Sequence, residues 1–477
     1  MKQETVDVLV IGGGGAGLSA AISAARKGAN VLLTEKSEGI GGATSLSVGT
    51  ISASGTIYQK RAGIKDSISS HFSDYLKFIP QGKSESDYDL NLTHLLIEIA
   101  PKVLNRMVNL GLDYTGPHPE PPHSVPRMHN VIGGSKQYIN KLKSTARSLG
   151  VKIETSTTAD HLILDKEGIV DGAVLKSEIV NNPLAIKSNL GVILATGYYT
   201  PNQLTTTNDG VNSKKLSIKV TGKGIDLARS IGAAIVEDPD GESPSLRTPS
   251  QPYVRPEPAL FKNGAVLINL EGRRFTNELD KPEFDLDQQF QNTGYILFDS
   301  TLASKIASEK EDSANVRDGW LKNQKLFLST FPEIAYAYID DYLEKTSYFF
   351  VANSIENLCN KTSLPTNNVE QEIATINRIS QYKLKDPFGR KPLVPSLLTP
   401  PYYAIGPVKT ESWLRFGIKI DSKTRVLTES GRPIQKLFAA GISGSSNTLV
   451  AGHGHALVWA FGTGHIAGKQ IMEEHDR

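Results

Sequence analysis

A glycine-rich turn near the start of the chain constrains the fold more than any other feature. It follows Val6–Ile11, a short and almost wholly apolar run that is typical of a strand buried on both faces of a parallel sheet. It precedes Leu18–Lys27, which has high helix propensity. The turn has glycine at three spaced positions, Gly12, Gly14 and Gly17. This order predicts a strand, a tight turn that a phosphate can approach, and a helix whose N-terminus favours an anion.

The residues after the helix point to a nucleotide. Ala29–Thr34 is predicted to be a second buried strand, which completes a βαβ unit. Glu35 stands at the end of that strand, 18 residues beyond Gly17, where a carboxylate can bind ribose hydroxyl groups. The pattern predicts a dinucleotide cofactor, and NAD and FAD fit these residues equally well.

The composition excludes several other classes of protein. The chain has 477 residues, more than one hydrophobic core normally organises, so at least two structural units are expected. A formal net charge of +2 argues against a nucleic-acid partner. The single cysteine, Cys359, excludes an intramolecular disulfide and a cysteine-rich metal site. No apolar run approaches the roughly 18 residues of a membrane span, and the N-terminus enters a strand with no signal-like leader, so we expect a soluble, cytoplasmic protein.

Two proline-rich seams divide the chain. Six prolines lie between Pro239 and Pro258, and four lie between Pro392 and Pro401. Proline resists both helix and central strand, so these seams are predicted boundaries. We predict a first domain in two parts, residues 1–240 and 401–477, and an inserted α+β domain, residues 241–400.

Other segments fill in these domains. In the first domain we predict a hairpin of Leu162–Leu164 with Ile169–Leu175 and a buried strand at Gly191–Ala195. We also predict strands at Gly417–Val426 and Leu437–Ala440, and a closing helix at Ala456–Glu473. In the inserted domain helices are expected to dominate, at Leu302–Lys310, Ala335–Lys345 and Val369–Leu384.

A series of short motifs, taken in order, resembles one protein family. The series is Gly12-x-Gly14-x-x-Gly17, Glu35-Lys36 with Gly41-Gly42, Ala195-Thr196-Gly197, Thr221–Ala228, Gly272–Glu278, and Ala439–Gly441 with Gly464–Gly468. It resembles the FAD-binding family of fumarate reductase and succinate dehydrogenase flavoproteins, which includes 3-ketosteroid dehydrogenases. The resemblance implies a Rossmann-like FAD-binding domain, with a three-layer parallel sheet, that is interrupted by an α+β capping domain.

The resemblance also implies which residues hold the FAD. They are Gly12, Gly14, Gly15, Ala16, Gly17, Glu35, Lys36, Gly41, Gly42, Ala43, Thr44, Ser45, Ala159, Ala195, Thr196, Gly197, Asp226, Gly441, Ile442, Gly454, Ala456 and Leu457. Non-covalent attachment is expected, because Gly42–Gly49 has no histidine where the dehydrogenase branch bears its attachment histidine. If the last helix opens near Gly454, its free N–H groups and dipole would stabilise negative charge on reduced flavin.

The chain departs from the family at the substrate site. Small-dicarboxylate members bind their substrate with a histidine and several arginines, and the matching positions here are Trp413 and Ala451. No arginine occurs from Leu279 to Val316, where a proton-relay arginine is expected. The steroid branch does not fit either, since the position of its catalytic tyrosine is Val450. A larger, apolar or aromatic substrate is predicted, in a pocket lined by Trp413, Tyr402, Tyr403, Tyr198 and Val450.

Four side chains are candidates for catalysis. His453 and His455 are predicted beside the flavin as proton donors or as hydrogen-bonding groups, with a structural role as the alternative, and no metal site is expected. Arg415 is predicted to bind an anionic or carbonyl group or to form a surface ion pair, and Tyr198 to face the flavin. In the inserted domain, Arg274 and Glu278 are expected to stabilise the domain rather than to contact substrate.

The predicted function is that of an FAD-dependent oxidoreductase. It would transfer a hydride between flavin N5 and a carbon of a small organic substrate, at a CH–CH bond next to a carbonyl or carboxylate, together with an electron donor or acceptor. One alternative is a fumarate reductase-like enzyme that uses Arg415, Arg273 and Lys409. Another is a flavoprotein that has lost catalysis and serves as a binding subunit. Substrate, direction and oligomeric state are left open.

Overall fold

The structure is a computed structural model. It describes residues 2–47, 49–79, 83–120, 122–177, 183–197, 222–238, 245–247, 258–280, 282–304, 348–411 and 415–474. The chain forms two compact units. Unit 1 comprises Met1–Glu242 and Trp413–Arg477, and unit 2 comprises Ser243–Ser412.

The described residues contain eighteen strands. They are β1 (Lys2–Ile11), β2 (Val31–Thr34), β3 (Thr50–Ser52), β4 (Tyr114–His118), β5 (Met128–Val131), β6 (Lys152–Glu154), β7 (Thr157–Leu164), β8 (Val170–Ser177), β9 (Leu184–Leu194), β10 (Ile235–Asp238), β11 (Ser245–Arg247), β12 (Val266–Asn269), β13 (Thr293–Asp299), β14 (Phe349–Ala352), β15 (Tyr402–Glu411), β16 (Arg415–Ile418), β17 (Arg425–Leu427) and β18 (Pro433–Ala439).

The main α-helices of the described residues are α1 (Gly15–Ala25), α2 (Ile57–Arg61), α3 (Ile68–Tyr75), α4 (Leu90–Asn109), α5 (Lys136–Ser148), α6 (Lys223–Arg229), α7 (Pro258–Asn263), α8 (Pro282–Asp287), α9 (Ile355–Thr362), α10 (Thr366–Tyr382) and α11 (His455–Glu473). Short 3-10 helices occur at Gly42–Leu46, Leu76–Phe78, Glu85–Asp87, Phe290–Asn292 and Gly441–Gly444. In the described part of the chain, every helix is too short or too polar to cross a membrane.

A largely parallel sheet organises unit 1. Its strands run in the order β17-β18-β9-β1-β2-β6, and β1 pairs in parallel with both β2 and β9. The hairpin of β7 and β8 joins the sheet through β9. Val8, Leu9 and Val10 in β1 are fully buried, as a strand covered on both faces requires. The predicted βαβ unit and hairpin are therefore confirmed.

The first and last helices of unit 1 pack closely. A Cβ atom at Gly464 would lie 2.2 Å from the Ala16 carbonyl oxygen, and one at Gly468 would lie 2.1 Å from that of Ala20. The Ser19 hydroxyl also donates to the Phe461 carbonyl at 2.8 Å. Glycines on α11 thus let it approach the backbone of α1, which sets the start of α11 relative to the glycine turn.

One strand prediction in unit 1 is wrong. Gly417–Val426 was predicted as a single strand, but β16 and β17 are separate and a turn joins them. The Asp421 carboxylate accepts hydrogen bonds from the backbone N–H groups of Lys423 (2.9 Å) and Arg425 (3.0 Å). This side-chain turn reverses the chain between two apolar runs that look continuous in sequence.

Unit 2 is built on an antiparallel sheet. The sheet has the order β11-β15-β13-β12, and β14 also pairs with β15. Helices α7 to α10 also belong to this unit, so its described residues combine helices with an antiparallel sheet, as the predicted α+β class implies. Strand β15 was assigned to the returning part of the first domain, yet it pairs with three strands of this sheet. The predicted helix at Val369–Leu384 corresponds to α10, whereas Ala335–Lys345 and most of Leu302–Lys310 lie outside the described residues.

Candidate functional site

The glycine turn has the shape that a dinucleotide requires. Gly12 has a φ of +114°, and a Cβ atom there would lie 2.2 Å from the Ala195 carbonyl oxygen. A Cβ atom at Gly17 would lie 1.9 Å from the Gly12 carbonyl oxygen, so α1 can pack here only without a side chain. At Gly14 the nearest atom to such a Cβ is 3.9 Å away, and this position is open. Gly12 and Gly17 shape the turn, and Gly14 leaves space for a ligand against the backbone.

Glu35 lies beside this turn, as its predicted role requires. Its Oε2 atom accepts from the Gly13 N–H at 2.8 Å, and its Oε1 atom accepts from the Ser37 N–H at 2.9 Å. Each carboxylate oxygen can accept a further hydrogen bond, so both can also bind ribose hydroxyls. The Thr157 N–H donates to the Glu35 carbonyl at 2.9 Å, which brings the start of β7, and with it Ala159, to this end of the sheet. Lys36 follows Glu35 in the same loop.

The loop after Glu35 folds back on the turn. Gly41 donates its N–H to the Gly13 carbonyl at 2.9 Å, and Gly15 donates its N–H to Thr44 Oγ1 at 3.2 Å. Ser45 closes the 3-10 helix by donating to the Gly42 carbonyl at 2.8 Å. The loop that contains Gly41, Gly42, Ala43, Thr44 and Ser45 is therefore held against Gly12–Gly17.

Two further predicted segments reach the same end of the sheet. Ala195, Thr196 and Gly197 follow β9 directly, and the Ala195 N–H donates to the Ile11 carbonyl at 2.8 Å. Gly441 has a φ of +67°, and a Cβ atom there would lie 2.8 Å from the Ala16 Cβ atom; Ile442 follows it.

Asp226 has a different setting. Its side chain is 60% exposed on α6 and lies 3.4 Å from Arg229 Nη1. A carboxylate so exposed is not held toward the turn, so its predicted part in cofactor binding has no support from its position.

The last helix opens as predicted. Gly454 is its N-cap residue, with a φ of +86° and no capping side chain, and a Cβ atom there would lie 2.5 Å from the Ser52 N atom. The first-turn residues, including Ala456 and Leu457, therefore have N–H groups that no side chain caps.

His453 is held by Glu120, a residue that the sequence analysis missed. Its Nδ1 atom and its backbone N–H lie 2.6 Å and 2.8 Å from Glu120 Oε1. The His453 carbonyl accepts from Ser52 Oγ at 2.7 Å. The imidazole is 39% exposed while the Glu120 side chain is only 10% exposed. Glu120 lies in a proline-rich loop without periodicity, so the sequence carries no signal for this pair.

His455 points elsewhere, into a buried cluster of histidines. Its Nε2 atom lies 3.1 Å from His71 Nε2, and its side chain is fully buried against His71, Tyr75 and His123. Burial lowers the pKa of His123 to about 4 and the pKa values of His71 and His455 well below the usual range. The prediction of His455 as an acid or base beside the substrate is not supported, because no part of its side chain is accessible; the structural alternative fits its position.

The histidine cluster also has the spacing of metal ligands. One ring nitrogen from each of His71, His123 and His455 lies within 4.8 Å of the others. Arg127 Nη1 lies 3.1 Å from His123 Nδ1, and because arginine only donates, the ring hydrogen of neutral His123 is on Nε2. His71 and His455 hydrogen-bond to each other, which uses one nitrogen of each. The second ring nitrogen of each histidine is buried without a hydrogen-bond partner among the described residues, and the absence of a metal site stays a prediction.

Some of the remaining candidate residues lie outside the part of the chain that the structure describes. Tyr198 and Trp413 lie outside the described residues, and Arg415 begins β16 without a described side chain. Tyr403 stacks on Phe298 with ring centroids 5.1 Å apart, so it packs in the core of unit 2.

Arg274 and Glu278 belong to a buried ion-pair network in unit 2. Glu278 accepts from Arg274 Nε at 2.8 Å and from Arg390 Nη1 at 2.7 Å, and Arg274 Nη1 donates to Asp386 at 2.9 Å. All four side chains are at most 1% exposed. This arrangement agrees with the predicted structural role.

Comparison with known proteins identifies the family. The profile described as "FAD binding domain" matches residues 7–457. The chain belongs to this FAD-binding family. It is 26% identical to the fumarate reductase (cytochrome) of Shewanella frigidimarina over 487 residues, 98% of this chain and 77% of that protein. It is also 26% identical to the vinyl phenol reductase of Lactiplantibacillus plantarum over 465 residues, 92% of this chain and 90% of that protein.

A solved structure agrees with this assignment. The open conformation of a flavocytochrome c3 fumarate reductase matches with a TM-score of 0.79 at 25% identity, over 98% of this chain and 78% of that chain. The α/β fold, the family and the general function of a flavin-dependent oxidoreductase are confirmed.

Proposed function

We propose that this protein reduces a carbon–carbon double bond conjugated with a carbonyl, a carboxylate or an aromatic ring, with non-covalently bound FAD as the hydride carrier. The observation that carries the proposal is the open backbone at Gly14, next to the N-terminus of α1 and the loop of Thr44. Its surroundings fit a pyrophosphate, because backbone N–H groups and the helix dipole favour an anion there. Bound FAD supplies a hydride at flavin N5.

The residues of this chain would bind the cofactor and supply the proton. The N–H groups at the start of α11 would stabilise negative charge on the flavin, a dipole effect of about 0.3–2 kcal/mol. His453 would hold a proton at Nε2 and give it to the substrate carbon next to the one that receives the hydride. One hydride and one proton complete the two-electron reduction of the double bond.

The substrate proposed is a monocarboxylate or an aryl alkene rather than fumarate. Two carboxylates need several charge-assisted donors, and Ala451 stands where the family has an arginine. The alternative donor Arg273 already bonds to Asn368 and Gln371 within unit 2. Vinyl phenol reductase, one of the relatives, is named for an aryl alkene that has no carboxylate. We further propose that an external donor supplies electrons to the flavin, that unit 2 serves as a cap, and that the protein is cytoplasmic.

Transient kinetics with reduced protein test the proposal. The protein is loaded with FAD, reduced with dithionite without oxygen, and mixed with 4-vinylphenol, acrylate, urocanate or fumarate while flavin reoxidation is followed by absorbance. We expect rapid reoxidation by at least one of the first three and slow reoxidation by fumarate. Rapid turnover of fumarate would refute the substrate assignment, and reoxidation by none of them would favour the binding-subunit alternative. Flavin released into the supernatant by acid precipitation would establish non-covalent attachment.

A variant pair tests the proton donor. His453→Gln is expected to retain FAD and to slow reoxidation by about 10²–10⁴-fold, the usual contribution of a positioned acid. His161→Gln is the matched control, because His161 also pairs with a neighbouring carboxylate, Asp160, but is 59% exposed on β7. Equal rates for the two variants would exclude His453 as the donor.

A further inference from the structure

We propose that Glu120 is a positioning residue that fixes the tautomer and orientation of His453, and that His123, itself held by Arg127, faces the other oxygen of Glu120. This inference rests on the proposed role of His453. It concerns a carboxylate and a buried network that no motif in the sequence indicates.

The backbone of His453 is fixed on both sides. Its N–H donates to Glu120 Oε1 at 2.8 Å, and its carbonyl accepts from the buried Ser52 hydroxyl at 2.7 Å. The flanking residues Gly452 and Gly454 have φ values of +66° and +86°, a left-handed backbone that favours glycine. The short segment therefore presents the imidazole from a defined backbone position.

Glu120 then determines which ring nitrogen carries hydrogen. An ionised carboxylate only accepts, so the 2.6 Å contact between Oε1 and His453 Nδ1 places a hydrogen on Nδ1. Nε2 becomes the atom that gains and loses the transferable proton. The negative charge of Glu120 also stabilises the imidazolium that exists before the proton is given to substrate carbon. After transfer His453 is neutral, with Nδ1 still protonated, and its 39% exposed ring can regain a proton from solvent.

A second layer of residues faces the other oxygen of Glu120. Glu120 Oε2 and His123 Nε2 are both buried, neither has a hydrogen-bond partner among the described residues, and they lie 3.9 Å apart. Arg127 Nη1 is 3.1 Å from His123 Nδ1, which leaves the ring hydrogen on Nε2, the atom nearest Oε2. A shift of less than 1 Å would bring this pair into hydrogen-bond range, at about 3 Å.

Arg127 is itself held by two carboxylates. Asp66 accepts from Arg127 Nε and Nη2, both at 2.8 Å, and Asp74 accepts from Nη1 at 2.6 Å. The Arg127 and Asp66 side chains are fully buried. Hydrogen bonds thus run from Asp66 and Asp74 through Arg127 to His123, whose Nε2 atom lies 3.9 Å from the carboxylate that holds His453.

The tautomer of His453 is measured directly by ¹⁵N NMR of the FAD-loaded protein. We expect an Nδ1–H tautomer in the native protein and in Glu120→Gln, because the amide oxygen can still accept. We expect loss of the Nδ1–H preference in Glu120→Ala. Asp160→Asn, beside the exposed His161, is the control and should leave His453 unchanged. An Nε2–H tautomer in the native protein, or an unchanged spectrum in Glu120→Ala, would overturn the inference whether or not a substrate is known.

Kinetics separate positioning from a general structural effect. Glu120→Ala should slow flavin reoxidation by about 10²-fold or more in the native background. In a His453→Gln background it should cause no further loss, since residues that act as a unit are not additive. A similar loss in both backgrounds would show a structural role instead. If His453→Gln alone has no effect, the proposed proton donor is wrong, and the NMR result still decides the role of Glu120. If the alanine variant fails to fold, Glu120→Gln serves instead: it should keep the Nδ1–H tautomer but slow reoxidation, because it removes the negative charge that stabilises the imidazolium, and an unchanged rate would contradict that role.

Discussion

Glu278→Gln should destabilise unit 2 strongly while leaving FAD binding intact. The native carboxylate balances Arg274 and Arg390 together with Asp386, so four buried side chains carry no net charge. An amide in its place leaves an excess of one positive charge and turns an N–H₂ donor toward arginine donors. Removing one partner from a buried ion pair costs about 3–5 kcal/mol.

The expected cost is large against the stability of an ordinary domain, about 5–15 kcal/mol. Because about 1.4 kcal/mol is a factor of ten, the opening equilibrium of unit 2 should rise by a factor of about 10²–10³ or more. Hydrogen exchange with mass spectrometry would measure this rise in peptides from β12 and β13. The Leu267 amide in β12 itself donates to Glu278 Oε1 at 3.3 Å, so its protection should fall first.

Glu271→Gln is the matched control, since Glu271 lies in the same loop and is exposed. Peptides from β1 and β9 of unit 1 provide an internal reference in the same sample. If Glu278→Gln changed protection in unit 2 by less than about 1 kcal/mol and instead abolished substrate reduction, the structural role would be refuted. Glu278 would then belong to the catalytic machinery.

Three further predictions rest on the packing, burial and hydrogen bonds of single residues. Gly17→Ala should yield protein without the yellow flavin absorbance, because the added Cβ would lie 1.9 Å from the Gly12 carbonyl oxygen; normal FAD content would refute the geometry of the turn. Burial lowers the pKa of His129 to about 4. Between about pH 6.5 and pH 4 the unfolded chain therefore binds more protons than the folded chain, and the free energy of unfolding should fall as the pH falls. This residue accounts for up to about 3 kcal/mol of that loss. Urea unfolding should show a weaker pH dependence in His129→Gln, and an equal dependence would contradict this assignment. Dialysis against EDTA should leave unfolding and flavin reoxidation unchanged, because Arg127 donates to His123 in the histidine cluster; loss of either on chelation, with recovery on adding Zn²⁺, would identify a metal site.

The cofactor end of the site was predictable because its signals are local. The apolar strand, the spaced glycines and Glu35 are close in sequence, and their backbone geometry allows few alternatives. The turn after β16 was not predictable from the apolar pattern. It is made by hydrogen bonds from the backbone to the Asp421 side chain, which replace the hydrogen bonds that a continuous strand would form. Strand β15 was misplaced for a related reason: a proline seam indicates irregular backbone but not which sheet the next strand joins.

The chemistry beyond the cofactor depends on contacts between distant residues. Glu120 and His453 are 333 positions apart, and His71 meets His455 across 384 positions. Sequence alone made His453 and His455 look equivalent, as two histidines on either side of one glycine. The folded chain separates them, because the left-handed residue Gly454 stands between His453 and His455, the first residue of α11, and the two side chains point in different directions. One imidazole is left partly exposed on a buried carboxylate and the other is enclosed among histidines. The ordered series of local motifs thus predicts the family and its flavin. Burial and hydrogen bonds between distant segments, which leave no periodic pattern, distinguish a candidate proton donor from a packed core residue.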